Sequence, residues 1–483
     1  MTTIESKVDL DTIADLPRLL QSQKIAVIRE GTPSLTLRHD RLGRLSALLH
    51  ANRNQLASAI SQDFGNRAQA TSLLYDVLAL LGSIKHTQEH LPTWSQPDIN
   101  PSPAPGASSR VEYQPKGVVG VISPWNFPVQ LALGPIVGIL AAGNRAMLKP
   151  SELTPATSEL LKALIAGAFD EEEISVVTGG QSVGAAFTEL AFDHLVFTGG
   201  TAVGKHVARA AANNLVPLTL ELGGKSPAII STSADMEQAV ARILQAKALN
   251  SGQLCVAPDY VLVPVDKQIA FAQIATKVVA RLFPSIVGNP DYTTIVNDNH
   301  FNRICGLIED ARTKGAQILA LSPAGERSVD AETRKIAPTL VLNVHDDLKV
   351  MQEEIFGPVL PVVSYSNIDE AISYINSRPR PLALYYLGTD ADEEHRVLDR
   401  TVSGGVTIND CVSHLSDENL PFGGVGPSGY GHYHGIYGFR AFSHAKAVYR
   451  QADVTPVAEL CNPPFRDQNQ NFLEQAFSAF KPT

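Results

Sequence analysis

The stretch NSGQLCVAPDYVLVP (250–264) places Cys255 where a run with helical spacing gives way to a run with strand spacing. A cysteine among such small neighbours can be an apolar filler, half of a disulfide, a metal ligand or a nucleophile. The chain has four cysteines, widely separated and without a C-x-x-C pair: Cys255, Cys305, Cys411 and Cys461. This spacing disfavours disulfides and a zinc site, and we expect no metal. A buried filler and a nucleophile stay open for Cys255.

A glycine-rich turn is the second chemical feature. The stretch HLVFTGGTAVGKHVA (194–208) sets Gly199, Gly200 and Gly204 between a predicted strand and a predicted helix. Glycines there let backbone N–H groups approach a phosphate, and the start of a helix adds favourable partial charge. The spacing matches neither G-x-G-x-x-G nor G-x-x-x-x-G-K-[ST]. From this turn alone, nucleotide binding and a tight turn built only for packing are equally supported.

A third feature is MLKPSELTP (147–155), in which Lys149 and Glu152 follow a predicted strand. Ligands of open α/β sheets bind outside the carboxyl ends of the strands. A lysine and a carboxylate at that position could hydrogen-bond the ribose hydroxyls of a dinucleotide. The alternative is that Glu152 is an ordinary acidic residue in the first turn of a helix.

The elements that position these residues follow from hydrophobic periodicity. The first 100 residues repeat apolar positions at spacings of three and four, which predicts helices. The stretch PTWSQPDINPSPAPGASS (92–109) then forms a connector that cannot hold a helix. Beyond it, short β-branched runs alternate with helical segments, and a second such series begins near SPAIIS (226–231). The pattern predicts an α/β fold with two doubly wound, Rossmann-like domains after a helical N-terminal segment.

Composition excludes several classes of protein. The 483 residues are 44% hydrophobic and 18% charged, and the net charge is −10. An acidic chain lacks the basic field of a nucleic-acid-binding protein. No apolar run approaches the roughly 18 residues that span a bilayer, so we expect no membrane anchor. The N-terminal MTTIESKVDLDTIADLP lacks the apolar core of a signal peptide, and a cytoplasmic location is expected.

Seven motifs together resemble one family. They are SPWNFP, LKPSE, FTGGTAVG, LELGGKSP, NSGQLC, EEIFGPVLP and LPFGGVGPSGYG, and they occur over roughly residues 40–448 in the order and spacing of the aldehyde dehydrogenase superfamily. The ending PFGGVGPSGYGHYHGIYGFRAFSHAK resembles the class 3 branch. Within that branch, the chain is most similar to bacterial coniferyl aldehyde dehydrogenases.

The resemblance implies a catalytic set. Cys255 would be the nucleophile, and the Asn126 side chain would stabilise the oxyanion together with the Cys255 backbone N–H. Glu221 lies 34 residues before the cysteine, as in the family, and would activate the hydrolytic water. Because it ends an apolar strand, burial would raise its pKa toward neutrality. The competing assignment gives the role of base to Glu354 in EEIFGP.

The resemblance also implies a cofactor, NAD, with NADP possible. Glu152 near the adenosine ribose would repel a 2′-phosphate. Where the family usually has a serine, this chain has Gly200, so one hydroxyl contact to the pyrophosphate would be missing. The residues expected to bind the cofactor are Lys149, Glu152, Gly199, Gly200, Thr201, Gly204, Glu354 and Phe356.

The expected domains follow the same resemblance. Residues 1–222 would form the nucleotide-binding domain, with a bridging hairpin inserted near 105–118. Residues 223–410 would form the catalytic domain, and 411–483 would return to the first domain with a bridging strand and a tail. The stretches RVEYQPKGV (110–118) and SHAKAVYRQ (443–451) read as exposed strands, and a small β oligomerisation element and a homodimer are therefore expected.

The expected reaction is the NAD(P)-dependent oxidation of a small-molecule aldehyde to the carboxylate. The expected substrate is aromatic or hydroxycinnamyl, such as coniferyl aldehyde. The alternatives are a medium- or long-chain aliphatic aldehyde, a CoA-acylating enzyme, a cysteine thioesterase and an inactive structural protein. Glu221 favours water over CoA as the acyl acceptor, because CoA-acylating relatives generally lack that base.

Overall fold

A computed structural model describes residues 7–102, 106–452, 462–465 and 467–480. Cys461, residue 105 of the expected hairpin and residues 453–461, 466 and 481–483 of the expected tail lie outside them. The chain forms two compact units. The large unit comprises Met1–Trp94 and Pro115–Ser443, and the small unit comprises Ser95–Gln114 and His444–Thr483.

The described α-helices alternate with strands after an initial helical segment. They are α1 (Lys7–Glu30), α2 (Leu35–Phe64), α3 (Gln69–Ser72), α4 (Ala79–Trp94), α5 (Gln130–Ala142), α6 (Pro155–Ala168), α7 (Gln181–Thr188), α8 (Thr201–Asn213), α9 (Met236–Ala248), α10 (Gln268–Leu282), α11 (Asp298–Thr313), α12 (Lys349–Gln352), α13 (Ile368–Asn376), α14 (Ala391–Arg400), α15 (Gly435–Ala441) and α16 (Asp467–Ser478).

The described strands are short. They are β1 (Asp98–Asn100), β2 (Ser108–Pro115), β3 (Val118–Ile122), β4 (Arg145–Lys149), β5 (Ile174–Val176), β6 (His194–Gly199), β7 (Leu218–Leu222), β8 (Pro227–Ile230), β9 (Tyr260–Pro264), β10 (Gln317–Ala320), β11 (Val329–Asp330), β12 (Lys335–Ile336), β13 (Thr339–Leu342), β14 (Val359–Tyr365), β15 (Ala383–Leu387), β16 (Gly405–Ile408), β17 (Gly429–Tyr430) and β18 (Ser443–Arg450).

The N-terminal helices form where their sequence signals predict. Ser34 caps α2 by accepting a hydrogen bond from the Leu37 N–H at 3.2 Å. Gly65 ends the same helix in the left-handed region (φ 85°), which glycine adopts without a steric penalty. Helices α1, α2 and α4 cover most of the first 94 residues, so the prediction of a helical N-terminal segment is confirmed.

The first large sheet has six strands in the order β17-β7-β6-β3-β4-β5. All neighbours in it run parallel except β17, which pairs antiparallel with β7. Its central strands are apolar and buried on both faces, as expected for a parallel sheet covered by helices. The carboxyl ends of β3, β4 and β6 therefore lie side by side at one edge.

The second large sheet has seven strands in the order β10-β13-β14-β9-β8-β15-β16. Only β10 runs antiparallel to its neighbour. Strand β7 ends in the first sheet and β8, five residues further on, begins in the second. Two mainly parallel sheets with interleaved helices confirm the α/β prediction, whereas the proposed domain boundaries at 222 and 410 stay predictions.

The small unit contains a three-stranded sheet with the order β1-β2-β18. Strand β1 pairs antiparallel with β2, with Asp98 opposite Val111. Residues 110–115 and 443–450 of the two stretches expected to form exposed strands lie in this sheet, whereas Val118 begins β3 of the six-stranded sheet. Most side chains of β18 are exposed, but those of β2 are mostly half-buried. Among the described helices, none is both long and apolar enough to cross a membrane.

Candidate active site

The cysteine follows a strained turn. Helix α9 ends at Ala248, and Asn250, Ser251 and Gly252 then take three consecutive positive φ angles of 50°, 53° and 73°. A Cβ at Gly252 would lie 2.2 Å from the Gly357 carbonyl oxygen, so only glycine fits there. Non-glycine residues in this region cost free energy and persist only where the surroundings hold them. The Ser251 hydroxyl supplies one such restraint by donating to the Thr293 carbonyl.

The turn that carries Asn126 is bonded directly to the cysteine turn. The Asn126 side-chain amide donates to the Gln253 carbonyl at 3.2 Å, and the Asn250 amide donates to the Asn126 carbonyl at 3.0 Å and to the Gln253 carbonyl at 3.2 Å. A primary amide has two N–H donors. Asn126 can therefore hold the cysteine turn with one N–H and offer the other to an oxyanion.

A buried ion pair holds the backbone of Asn126 in place. Arg67 and Asp76 are both fully buried, and their side chains are 2.7 Å apart. Arg67 donates to the Asn126 carbonyl at 2.9 Å, and Asp76 accepts from the N–H groups of Val129 and Gln130 at 3.1 Å each. Burial raises the pKa of Asp76, and the charge of Arg67 opposes that shift. The ion pair therefore fixes the backbone of the Asn126 turn by hydrogen bonds at Asn126 and at Val129 and Gln130.

The Cys255 thiol is free, and its side chain is half-buried. Burial raises the pKa of Cys255 to about 12, with further contributions from the charges of Glu354 and Glu221. The thiolate is the nucleophilic form of cysteine. In this arrangement the thiol must therefore lose its proton to a nearby base before it can attack.

Glu221 lies in β7, opposite Thr198 of β6 and Gly429 of β17. Its side chain is buried, and neither carboxyl oxygen has a hydrogen-bond partner among the described residues. Burial raises the pKa of Glu221 well above its ordinary value. A carboxyl group whose pKa is moved toward neutrality is suited to taking a proton from water.

A second carboxyl group approaches from the segment after α12. Burial raises the pKa of Glu354 to about 8, and the charge of Asp259 adds to the shift. The Gly224 N–H donates to Glu354, and a Cβ at Gly223 would lie 2.2 Å from its Oε2. Arg303 bonds the Glu354 carbonyl at 3.3 Å. Close contact with two glycines holds the carboxyl group against the turn after β7.

An ion pair fixes this segment beside the cysteine turn. Lys225 bonds Asp259, the Val350 carbonyl at 2.8 Å and the Glu353 carbonyl at 3.1 Å. The second oxygen of Asp259 accepts from the Ile355 N–H at 2.9 Å. The LELGGK motif and the strand after the cysteine are therefore tied to the same short segment.

The segment that carries Glu354 continues with an aromatic residue, Phe356. Phe356 has a positive φ of 46°, and its ring centroid is 5.3 Å from that of Trp125 in the Asn126 turn. The His300 ring also lies close to Trp125, with 4.9 Å between the two ring centroids. A non-glycine residue at positive φ indicates that the surroundings dictate where the Phe356 ring points.

The glycine turn joins β6 to α8 as predicted. Gly200 is the residue before α8, no side chain caps the helix, and a Cβ at Gly200 would meet nothing within 4 Å. Thr201 begins the helix, and its hydroxyl lies 3.4 Å from the Pro427 carbonyl. Gly204 packs on Leu222, where a Cβ would come within 2.7 Å. Gly204 thus serves packing, whereas the first N–H groups of α8 have no acceptor within the helix and no side-chain cap, so they are suited to binding an anion.

Lys149 and Glu152 form an ion pair of 2.7 Å at the carboxyl end of β4. Lys149 is buried and Glu152 is exposed. Gly199 ends β6, two strands away in the same sheet, and pairs with Leu222 next to Glu221. A cation, a carboxylate and an open helix start along one sheet edge fit an extended dinucleotide.

A cavity of about 450 Å³ opens beside the cysteine turn, and Asn250 forms part of its wall. Tyr75 and Phe283 contribute aromatic surface, and Gln245 and Thr71 contribute hydrogen-bonding groups. We call this space the cysteine-turn cavity.

The sequence did not point to the residues that hold the turns of Asn126 and Cys255 in place. Arg67, Asp76 and Gln253 lie outside the residues singled out, although an aspartate in the apolar run LLYDVLALL is a signal that could have drawn attention to Asp76. Cys305 and Cys411 are free thiols, half-buried and buried respectively. Within the described ranges, no cluster of three or more histidine, cysteine, aspartate or glutamate side chains could hold a metal ion.

Comparison with known proteins gives one consistent result. A protein-family model with the description "Aldehyde dehydrogenase family" matches residues 21–448 of this chain. A probable coniferyl aldehyde dehydrogenase of Caulobacter vibrioides is 54% identical over 462 residues, which cover 94% of this chain and 95% of that protein. A substrate-bound structure of Staphylococcus aureus AldH has a TM-score of 0.90 at 35% identity, covering 96% of this chain and 99% of that one. An indole-3-acetaldehyde dehydrogenase of P. syringae in complex with NAD⁺ has a TM-score of 0.83 at 27% identity, covering 91% and 89%.

The electrostatics of the thiol can be tested in the protein without added ligands. Glu354→Gln removes a negative charge that raises the pKa of Cys255, so the thiolate fraction should increase at about pH 9, where Glu354 is ionised. Because the thiolate is the reactive form, the lower pKa of Cys255 should speed its alkylation by iodoacetamide roughly 3- to 10-fold. At about pH 6, where the Glu354 carboxyl is neutral, the difference should disappear.

Mass spectrometry of the Cys255 peptide separates this reaction from alkylation of the other thiols. The matched control is Glu353→Gln, which changes an exposed neighbour and should leave the rate unchanged. Equal rates for Glu354→Gln and the parent protein at about pH 9 would contradict the electrostatic coupling.

Proposed function

The chain belongs to the aldehyde dehydrogenase family, and from that premise we propose that it oxidises an aromatic, hydroxycinnamyl-type aldehyde such as coniferyl aldehyde. As a member of the family it is an NAD(P)-dependent oxidoreductase that converts an aldehyde to a carboxylic acid. The proposal concerns the substrate and the residues that act on it.

The observation that carries the substrate proposal is the cysteine-turn cavity. Its volume of about 450 Å³ lies within the ~300–1,000 Å³ of typical small-molecule sites. Tyr75 and Phe283 offer faces on which an aromatic ring can pack, and Gln245, Thr71 and Thr293 offer partners for phenolic oxygens. The relatives named coniferyl aldehyde dehydrogenases support the same class of substrate.

The proposed reaction starts with the Cys255 sulfur attacking the aldehyde carbon. The free N–H of the Asn126 amide and the Cys255 backbone N–H stabilise the oxyanion, and such a donor is typically worth about 3 kcal/mol in the transition state. When bound, NAD would accept the hydride that leaves the former aldehyde carbon, and the carbonyl re-forms as a thioester on Cys255. Glu221 then takes a proton from the water that attacks the thioester, the carbon–sulfur bond breaks, and the carboxylic acid leaves.

The residues proposed to hold the cofactor are those of the sheet edge and the glycine turn. Lys149 and Glu152 would bond the adenosine ribose, and the open start of α8 after Gly199 and Gly200 would receive the pyrophosphate. Thr201 and Gly204 shape that turn. Glu354 would bond the nicotinamide ribose, and Phe356 would pack near the ring. The exposed carboxylate of Glu152 would repel a 2′-phosphate, so we propose a preference for NAD over NADP.

The assignment predicts a ranking of substrates. The value of kcat/KM should fall from coniferyl aldehyde to cinnamaldehyde to a medium-chain alkanal, with higher values with NAD than with NADP. Gln245→Leu should lower the ratio of coniferyl aldehyde to cinnamaldehyde about fivefold, the worth of a hydrogen bond of about 1 kcal/mol. Steady-state formation of reduced cofactor measures each value.

The matched control is Gln238→Leu, on the same helix α9 but outside the cavity wall. It should leave the ratio unchanged. A higher kcat/KM for the alkanal would favour an aliphatic aldehyde dehydrogenase, and activity that requires CoA would favour an acylating enzyme.

We also propose a homodimer that forms through the small unit, and a cytoplasmic location. The exposed strand β18 offers an unpaired edge that a second copy could cover. Free thiols at Cys255, Cys305 and Cys411 suit a reducing compartment. Light scattering should give twice the chain mass of 51.8 kDa, and the mass of a single chain would contradict the dimer.

A further inference from the structure

Three polar atoms converge on the space above the α-carbon of Gly423. A Cβ built there would lie 2.0 Å from the Gly431 carbonyl oxygen, 2.5 Å from Nδ1 of His432 and 3.1 Å from Oε1 of Glu221. The separation of the imidazole nitrogen and the carboxyl oxygen is therefore at most the sum of the last two distances, about 5.6 Å. These short distances leave no room for a side chain at Gly423. Two hydrogen bonds of about 2.8 Å reach across any separation up to about 5.6 Å, so a water placed beside that glycine would be within reach of both side chains.

Both side chains lack a partner at these atoms. Within the described part of the chain, His432 Nδ1 and both carboxyl oxygens of Glu221 are buried without a hydrogen bond. Buried polar groups in proteins are usually paired, often through an ordered water that makes about three hydrogen bonds. The Gly431 carbonyl supplies the third partner for such a water. The two unpaired side chains thus lie close enough together to share one bridging water.

His432 also leads outward. Its side chain as a whole is only half-buried, and its ring lies against the exposed Tyr437, with ring centroids 6.3 Å apart. The charge of Glu221 contributes to raising the pKa of both Tyr433 and Cys255, so the carboxyl group lies near these two buried groups. Tyr433 is fully buried and its pKa is raised by that burial, so it offers the carboxyl group no route to solvent. Among these groups, His432 joins Glu221 to the surface.

We propose that His432 carries to solvent the proton that Glu221 takes from the hydrolytic water. This rests on the proposed role of Glu221 as the base. The attacking water gives one proton to Glu221 and forms the new carbon–oxygen bond, and the electron pair of the breaking carbon–sulfur bond stays on Cys255. Glu221 passes its proton through the bridging water to Nδ1 of His432. The imidazolium then releases a proton to solvent from its exposed side, and Glu221 is again a carboxylate.

His432 is thus a proton-relay residue that acts through Glu221. The alternative is a structural role, in which the ring only packs against Tyr437 and keeps the GYGHYHG turn in place. The two roles differ in what a substitution does. A relay fails when the side chain cannot carry a proton, even if its size and its hydrogen bond are kept, and it can be replaced by a proton carrier from solution.

The test uses His432→Gln and His432→Ala in the full-length enzyme, with coniferyl aldehyde and NAD in dilute buffer at about pH 7. Glutamine keeps a hydrogen bond to water but carries no proton. Steady turnover should fall about tenfold in both variants, with the first-turnover burst of reduced cofactor retained. Intact-mass spectrometry should show the acyl-enzyme accumulating. Added imidazole should restore the turnover of His432→Ala to within about twofold of the parent enzyme.

Parent enzyme and His395→Ala, which changes an exposed surface histidine, serve as controls and should not respond to imidazole. Turnover of His432→Gln equal to that of the parent would overturn the relay. A loss in His432→Ala that imidazole does not restore would assign His432 a structural role. The proposed function fails separately, through absence of aldehyde oxidation in the parent enzyme or full steady turnover in Glu221→Gln.

Discussion

The candidate site depends on hydrogen bonds between two turns. One turn follows β3 of the first large sheet and carries Asn126, and the other precedes β9 of the second large sheet and carries Cys255. The Asn126 amide bonds the Gln253 carbonyl, and the Asn250 amide bonds the Asn126 carbonyl in return. This exchange holds three consecutive residues of positive φ just before Cys255, a conformation that an isolated chain would avoid. Because the Asn126 amide fixes the turn with one N–H and has a second to offer, one interaction positions both the proposed nucleophile and the proposed oxyanion donor.

Burial governs the chemistry of the charged groups around this junction. The pKa values of Cys255, Glu221 and Glu354 are all raised, mainly because each group is removed from water. The thiol therefore needs a base, and burial makes the carboxylate forms of Glu221 and Glu354 stronger proton acceptors than exposed carboxylates are. The fully buried pair of Arg67 and Asp76 shows the other use of burial. There the charges satisfy each other and brace the Asn126 turn.

The α/β class, the helical N-terminal segment and the location of the glycine turn could be predicted from the sequence. Each depends on local hydrophobic periodicity or on the glycines between a strand and a helix. The sequence also placed Glu221 at a strand end. It could not predict that Arg67 would reach Asn126, since the two lie 59 residues apart and meet only through tertiary packing. Nor could the sequence predict that His432 approaches Glu221, because their proximity depends on the backbone path around Gly423.

The role of Glu221 as the base is the central claim, and rapid-mixing absorbance of the reduced cofactor tests it most directly. In Glu221→Gln, acyl transfer to Cys255 should still give one stoichiometric burst. Steady turnover should then fall roughly 10²- to 10⁴-fold, the usual worth of a positioned general base. Glu354→Gln should not show this burst-only pattern. Full steady turnover in Glu221→Gln, with the burst-only pattern in Glu354→Gln, would contradict the account.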